Sequence, residues 1–430
     1  MKGARFLIPA TLAILVVALL LALLWSNRNA AIRAFHIQAK PGTWVASLQN
    51  LGTDLGNEGD TSMGHIRKGD VAALAGDWKE AEDEYAAAVD TDGGAAALKK
   101  LAHTQLQRGE TDKARSTIDR LRKEEGRAEE VLLLAVTLAL HDSDTAQATS
   151  LLDAAGDSPH KRYAAALLAI AQSDQKNAQT ELTATIEGWE PTLRAAARTL
   201  QDAYDEYALY PQSNEIHLSA LLGRALAQVQ ECPIALPLLQ RVTAAKDDYR
   251  DAWIVQGYCQ LVTEKTDEAL ASLERAYTID PRKPEIQYFL GRTYAAKNDH
   301  TNAVTYYQYA LQNGFQPERD VRRELAKEAQ ASGDLLLAFS QEKYLATSSG
   351  ADLATIRGFV DLALKAQRPE DAYDVALKAT TLWPQDARAY DLYGTAAAAA
   401  DKKNEARAAF QKALELDGSL DDVKAKLLKL

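Results

Sequence analysis

Residues 250–283 read RDAWIVQGYCQLVTEKTDEALASLERAYTIDPRK. Thirty-four residues of this kind fit two helices of about 13 residues and two short turns. Gly257 on the first helix and Ala269 on the second are small enough to let the two backbones approach closely. Trp253 and Leu273 are large enough to fill the space between the layers. Pro281 lacks the N–H that would continue the second helix, so it stops it and redirects the chain. One such hairpin cannot bury both of its faces, so neighbours must stack.

The same residues recur outward from this unit. Gly223, Gly257 and Gly291 are spaced by 34, as are Ala235, Ala269 and Ala303. Leu239, Leu273 and Tyr307 keep that step, and so do Val242, Ala276 and Ala310. Ala338 follows Ala303 after 35 residues, and Ala372 and Ala406 follow at 34 each. Small residues at two coupled offsets through several units mark a repeat architecture.

Trp253, Gly257, Ala269, Leu273, Ala276 and Pro281 together resemble the tetratricopeptide repeat pattern. The last unit carries it through Tyr390, Gly394, Ala406, Phe410 and Ala413, with Gly418 where proline is usual. The unit near 353 keeps Ala372, Ala376, Ala379 and Pro384 but has Val360 in place of the first-helix glycine. Before residue 216 the pattern decays, although Ala81, Tyr85 and Ala88 still read as a second helix that Ala114, Ile118 and Leu121 repeat. The resemblance implies an all-α fold, a right-handed superhelical solenoid of antiparallel helix pairs, and a non-catalytic role in binding protein.

The expected organisation starts with a tail at 1–5, an apolar span at 6–25 and a Gly-containing linker at 26–61. Degenerate repeats follow at 62–191, then a connecting helix at 192–215 without an evident partner. Repeats with units near 216, 250, 284, 319, 353 and 387 fill 216–420, and a capping helix at 421–430 closes the chain. Phe6–Trp25 carries no charge over 20 residues, which at ~1.5 Å each spans about 30 Å, the thickness of a bilayer core. It predicts one transmembrane helix and a lipid partner. A cleaved signal peptide is the alternative, but its apolar core is usually shorter, roughly 7–15 residues. Lys2 and Arg5 before the span nearly balance Arg28, Arg33 and Lys40 after it. The short N-terminal tail favours a solenoid on the extracytoplasmic, periplasmic side.

The formal net charge of -11 argues against nucleic acid, which selects basic surfaces. No Walker loop, HExxH or GxSxG is present, and the seven scattered histidines read as solvated or turn residues. Glu80, Glu82, Asp83 and Glu84 read as a solvated helix face. We therefore expect no enzyme, no cofactor and no metal. The two cysteines, Cys232 and Cys259, fall on adjacent hairpins. A disulfide between them and two separate buried thiols are both open readings.

Stacked hairpins of this family line a concave side with their first helices. Carrying the period along those helices places Arg224, Tyr258, Arg292 and Lys327 in one row, and Tyr288, Arg323 and Arg357 in the row a turn earlier. This basic and aromatic strip predicts a seat for an acidic or C-terminal peptide segment, since Arg binds carboxylates bidentately and Tyr offers broad contact area. An ordinary solvated face is the alternative. The function expected is a membrane-anchored scaffold for an envelope assembly, with a cytoplasm-facing adaptor as the second reading and a cryptic enzyme as the third. Sequence leaves the oligomeric state open.

Overall fold

The computed structural model describes residues 61–430, apart from 126–128 and 211. The expected span at Phe6–Trp25 and the linker after it lie outside the described residues. Among those described, no helix is long and apolar enough to cross a membrane.

The described residues form 22 α-helices and no strand. Four hairpins come first: α1 (Ser62–Ala75) with α2 (Trp78–Asp90), α3 (Gly94–Gln107) with α4 (Thr111–Glu125), α5 (Glu129–His141) with α6 (Thr145–Asp153), and α7 (Pro159–Ala171) with α8 (Gln175–Glu187). A single 18-residue helix, α9 (Pro191–Ala208), follows. Then come α10 (Glu215–Gln228) with α11 (Cys232–Ala245), α12 (Arg250–Val262) with α13 (Thr266–Ile279), and α14 (Pro284–Ala296) with α15 (His300–Gln312). The last hairpins are α16 (Glu318–Ser332) with α17 (Leu335–Thr347), α18 (Leu353–Lys365) with α19 (Pro369–Leu382), and α20 (Ala387–Ala399) with α21 (Lys403–Leu416). The short helix α22 (Asp421–Leu428) packs on α21 and buries Val423.

The turn inside each hairpin repeats as faithfully as the helices. Gln230, Glu264, Asn298, Gly333, Gln367 and Asp401 all sit there with positive φ. Glu264 N–H donates to Leu261 O and Lys265 N–H to Gln260 O, which satisfies carbonyls that the ending helix leaves open. The next residue caps the second helix where it is Asp: Asp299 accepts from Asn302 N–H and Asp334 from Leu337 N–H. Between the layers, a Cβ at Gly257 would lie 2.5 Å from Leu273 Cγ. Leu273 is fully buried there, a burial worth about 1.5–3 kcal/mol for a leucine.

The helix expected to stand alone between two stacks differs from that expectation. α9 packs against both α8 and α10, burying Leu193, Ala197, Leu200, Ala203 and Tyr204. Tyr204 Oη donates to Gln175 Oε1 at 2.7 Å. Because α9 is one helix rather than a pair, the hairpins after it run opposite to those before it. The chain folds back accordingly. Arg292 on α14 donates to Gly76 O at 3.2 Å across 216 residues. Arg108 at the end of α3 donates to Glu264 Oε1 across 156 residues. His141 on α5 lies 3.9 Å from Glu231 at the start of α11. First hairpin thus meets third, second meets second, and third meets first, so the two rows lie antiparallel about α9.

Candidate protein-binding groove

The first helices carry the seven strip residues, and the fold-back sorts them into three environments. Arg224 on α10 is ion-paired to Glu206 of α9, so its charge is already met. Arg323 keeps 53% of its side chain exposed, 3.5 Å from Asp320. Lys327 and Arg357 are exposed. Tyr258, Tyr288 and Arg292 are half-buried in the crevice where the rows face each other.

That crevice gathers donors, with Glu324 the carboxylate that acts on Tyr288, Arg292 and Tyr307 alike. The ring of Tyr288 stacks on Phe315 with centroids 4.2 Å apart, and lies 5.9 Å from the ring of Tyr307. Tyr258 leans on Phe289 at 5.3 Å. Tyr307 is fully buried, and its hydroxyl has no hydrogen-bond partner. The hydroxyls of Tyr258 and Tyr288 also have none among the described residues. Arg292 carries five N–H donors, and the Gly76 carbonyl takes one, from Nη2. Burial pushes all three tyrosines up from their ordinary range, which keeps them protonated donors. Burial opposes the charge of Arg292, yet its ionisation lies above the ordinary range, and the charged group that favours it while the tyrosines stay protonated is Glu324. A guest carboxylate would add acceptors for these donors.

The strip is less uniformly basic than the 34-residue step suggests. Asp320 and Glu324 share α16 with Arg323 and Lys327, and burial raises the carboxyl of Asp320. Burial also raises Glu342 of α17, beside Arg323. Counting one row of positions misses these acids because they project from the neighbouring row. Tyr307 and Phe315 were outside the strip as well. Tyr307 occupies the position held by Leu239 and Leu273, and a hydroxyl at a leucine position is the signal that would have found it.

Two further expectations need correction. His141 is not solvated: its side chain is 1% exposed, and neither ring nitrogen has a hydrogen-bond partner. His160 is also buried, with Nδ1 3.2 Å from Glu129. Glu82, read as part of a solvated face, is 6% exposed and paired to Arg108. The fold-back brings Glu231 over His141, whereas Glu82 and His160 are met by residues of neighbouring hairpins in their own row, Arg108 and Glu129. Cys232 and Cys259 are joined as a disulfide with Cα atoms 5.0 Å apart. Among the described residues no group of His, Cys, Asp and Glu could hold a metal ion.

Comparison with curated protein sequences finds no match. Among solved structures, one titled "Crystal structure of MamA" is similar at 18% identity, covering 48% of this chain and 97% of that one, with a TM-score of 0.27. A second, of "MamA AMB-1", is similar at 17% identity over 44% of this chain and 94% of that one, with a TM-score of 0.24. Tetratricopeptide repeat family models match residues 220–284, 263–316 and 387–419, so the chain carries tetratricopeptide repeats across these segments.

Proposed function

We propose that this protein is a membrane-tethered, non-catalytic scaffold that holds a carboxylate-bearing segment of a partner protein, an acidic stretch or a C-terminus. The segment lies along Tyr258, Tyr288, Arg292, Arg323, Lys327 and Arg357. Tetratricopeptide repeats are built to bind protein. One observation supports the chemistry of the guest: Arg292 makes one hydrogen bond, to Gly76 O, and the hydroxyl of Tyr307 beside it makes none, with Glu324 the carboxylate nearest in effect. The solvent-facing cations Lys327 and Arg357, with Arg323 beside Asp320, extend that preference along the row. The apolar span at Phe6–Trp25 is the tether, and the protein serves assembly of an envelope complex. The disulfide favours an oxidising, extracytoplasmic side for the solenoid.

The test uses the full-length chain and a fluorescein-labelled Gly-Glu repeat peptide, with a Gly-Gln peptide of equal length as control. Anisotropy should report saturable binding of the Glu peptide alone. Arg292→Met should weaken it roughly ten- to hundredfold, the range for a hydrogen-bonded charge. Equal binding of the Gln peptide, or an unaffected Arg292→Met variant, would remove the reading.

A further inference from the structure

A cavity lies along the first row, lined by Leu74 and Trp78 on either side of the Gly76 whose carbonyl Arg292 binds. Its volume is about 550 Å³, and its apolar wall includes Leu74, Trp78, Leu133 and Leu134. Leu74 is 61% exposed, a large aliphatic group left facing water. Gln230, from the turn between α10 and α11, contributes the wall on the other row. The cavity is therefore complete only when the rows are folded together.

Three observations define what it would take. Trp78 is 8% exposed, yet its indole Nε1–H has no partner, so a nearly buried donor is waiting for an acceptor. The cations at the rim are already met: Lys99 Nζ is 2.5 Å from Glu130 and Lys100 Nζ is 2.7 Å from Asp70. His103 lines the cavity with no hydrogen-bond partner and an exposed edge, and the loss of solvent around the rest of its ring shifts its imidazole below the ordinary range. Glu231 raises it and Lys100 and His141 lower it, while Asp70, Lys99, Glu130 and His160 line the same cavity. An anion would find no unpaired cation here. A neutral carbonyl beside an apolar group meets every feature.

We infer that this cavity is a second subsite, which takes an apolar side chain of a partner polypeptide while the adjoining main-chain carbonyl accepts from Trp78 Nε1. This rests on the scaffold reading above and gives the guest a bipartite character: carboxylates at Arg292, and an aliphatic anchor at Trp78. The volume suits one or two leucine-sized side chains with their main chain. The wall from Gln230 means that an occupied cavity also holds the two rows together.

The test is photo-crosslinking of the full-length chain with acetyl-Ala-photoleucine-Leu-Ala-amide, with adducts mapped by mass spectrometry. Adducts should fall on α1, α3 and α5 around Leu74, Leu133 and Leu134. Unlabelled acetyl-Ala-Leu-Leu-Ala-amide should compete, whereas acetyl-Ala-Glu-Glu-Ala-amide should not. Trp78→Phe keeps the ring wall and loses the donor. It should lower the yield roughly two- to tenfold, the factor one net hydrogen bond is worth. Leu133→Asn, at a half-exposed position, guards against a Trp78 variant that misfolds and should abolish labelling with an unchanged circular dichroism spectrum. Adducts elsewhere, wild-type labelling of Trp78→Phe, or equal competition by the Glu peptide would overturn the inference. Equal competition by 1-hexanol would also overturn it, by showing a site for free apolar molecules. The Gly-Glu anisotropy assay on the same sample separates the two readings. Its failure with labelling intact sinks the groove alone, and the reverse sinks the subsite alone.

Discussion

Arg108 Nη2 lies 2.5 Å from Glu264 Oε1, although 156 residues separate them in the chain. The same guanidinium is 6% exposed and is also paired with Glu82 and Glu110. Two of its three carboxylates thus belong to its own row, and only Glu264 belongs to the opposite one.

This asymmetry predicts different costs for the two partners. Arg108→Leu leaves Glu82, whose side chain is 8% exposed, with Lys113 as its remaining cation. Stability should fall by about 3–5 kcal/mol, the range for a broken buried pair. Glu264 is 52% exposed, so solvent already screens it, and Glu264→Ala should cost no more than about 1 kcal/mol. Glu264→Ala should nevertheless loosen the rows locally, since Arg292 to Gly76 O and His141 beside Glu231 still join them. Urea titration checks the first statement, and spin-label distances between positions near 109 and 264 check the second. Equal destabilisation by both variants would refute the asymmetry.

A paired glycine experiment addresses the packing between layers. At Gly257 a new Cβ would meet Leu273 Cγ at 2.5 Å, Leu273 Cδ2 at 2.9 Å and the Ala269 carbonyl oxygen at 3.3 Å. Backbone cannot yield as a side-chain end can, so Gly257→Ala should destabilise by about 1–3 kcal/mol. At Gly358 nothing lies within 4 Å of the same position, and the residue is helical. Gly358→Ala should stabilise by about 0.4–1 kcal/mol through lost freedom of the unfolded chain. Calorimetry on both variants would show the opposite signs.

These two glycines also show what a sequence can carry. Gly223, Gly257 and Gly291 are legible because each hairpin solves the same local packing problem, so the solution recurs at a fixed interval. Val360 departs from that pattern without breaking the hairpin: it is fully buried and packs among Phe359, Val375 and Ala376. The fold-back is not legible in this way. It follows from a single odd helix at 191–208 and from contacts made once, such as Arg292 to Gly76 O. No period encodes a contact that occurs once. The Arg292 cluster was therefore half visible: its row was readable, but its covering and the neighbouring acids were not.

The disulfide closes a loop of 27 residues. A loop of this length restricts the unfolded chain by about 2–4 kcal/mol. Both sulfurs are buried, with Cys232 1% and Cys259 0% exposed. Replacing both with alanine should lower stability by that amount and remove any effect of reductant. Urea midpoints with and without a phosphine reductant would test this. An unchanged wild-type midpoint under reduction would show that the bond does not support the fold.

Acid should weaken the contact between the third-last and second-last hairpins through one carboxylate. The hydrogen bond from Lys343 Nζ holds Asp371 below the ordinary carboxylate range, and Arg368 adds to it. The unfolded residue binds its proton first as pH falls, so Asp371 contributes stability above about pH 4. That contribution is lost as pH drops further through the folded value. Asp371→Asn should flatten the acid limb of stability against pH and leave the alkaline limb alone.

Tyr307 sets stability against binding. Its hydroxyl is fully buried without a partner, a condition that costs about 1–3 kcal/mol. Burial, and then the carboxylates Glu324 and Glu328, raise its ionisation well above the ordinary range, while Arg292 partly offsets this. The folded form keeps the proton at a pH where the unfolded one loses it. The resulting stabilisation is whole below about pH 10 and is lost as pH rises toward the folded value. Tyr307→Phe should therefore raise the urea midpoint at neutral pH and soften the alkaline loss. The ring still fills the space above Gly291, 2.7 Å from a Cβ there, so no cavity forms to offset the gain. The same variant removes one donor beside Arg292, and the Gly-Glu peptide should bind more weakly. A variant that is both more stable and a poorer binder would show that the unpaired hydroxyl is kept for a guest. A less stable variant would show instead that the hydroxyl has an internal partner.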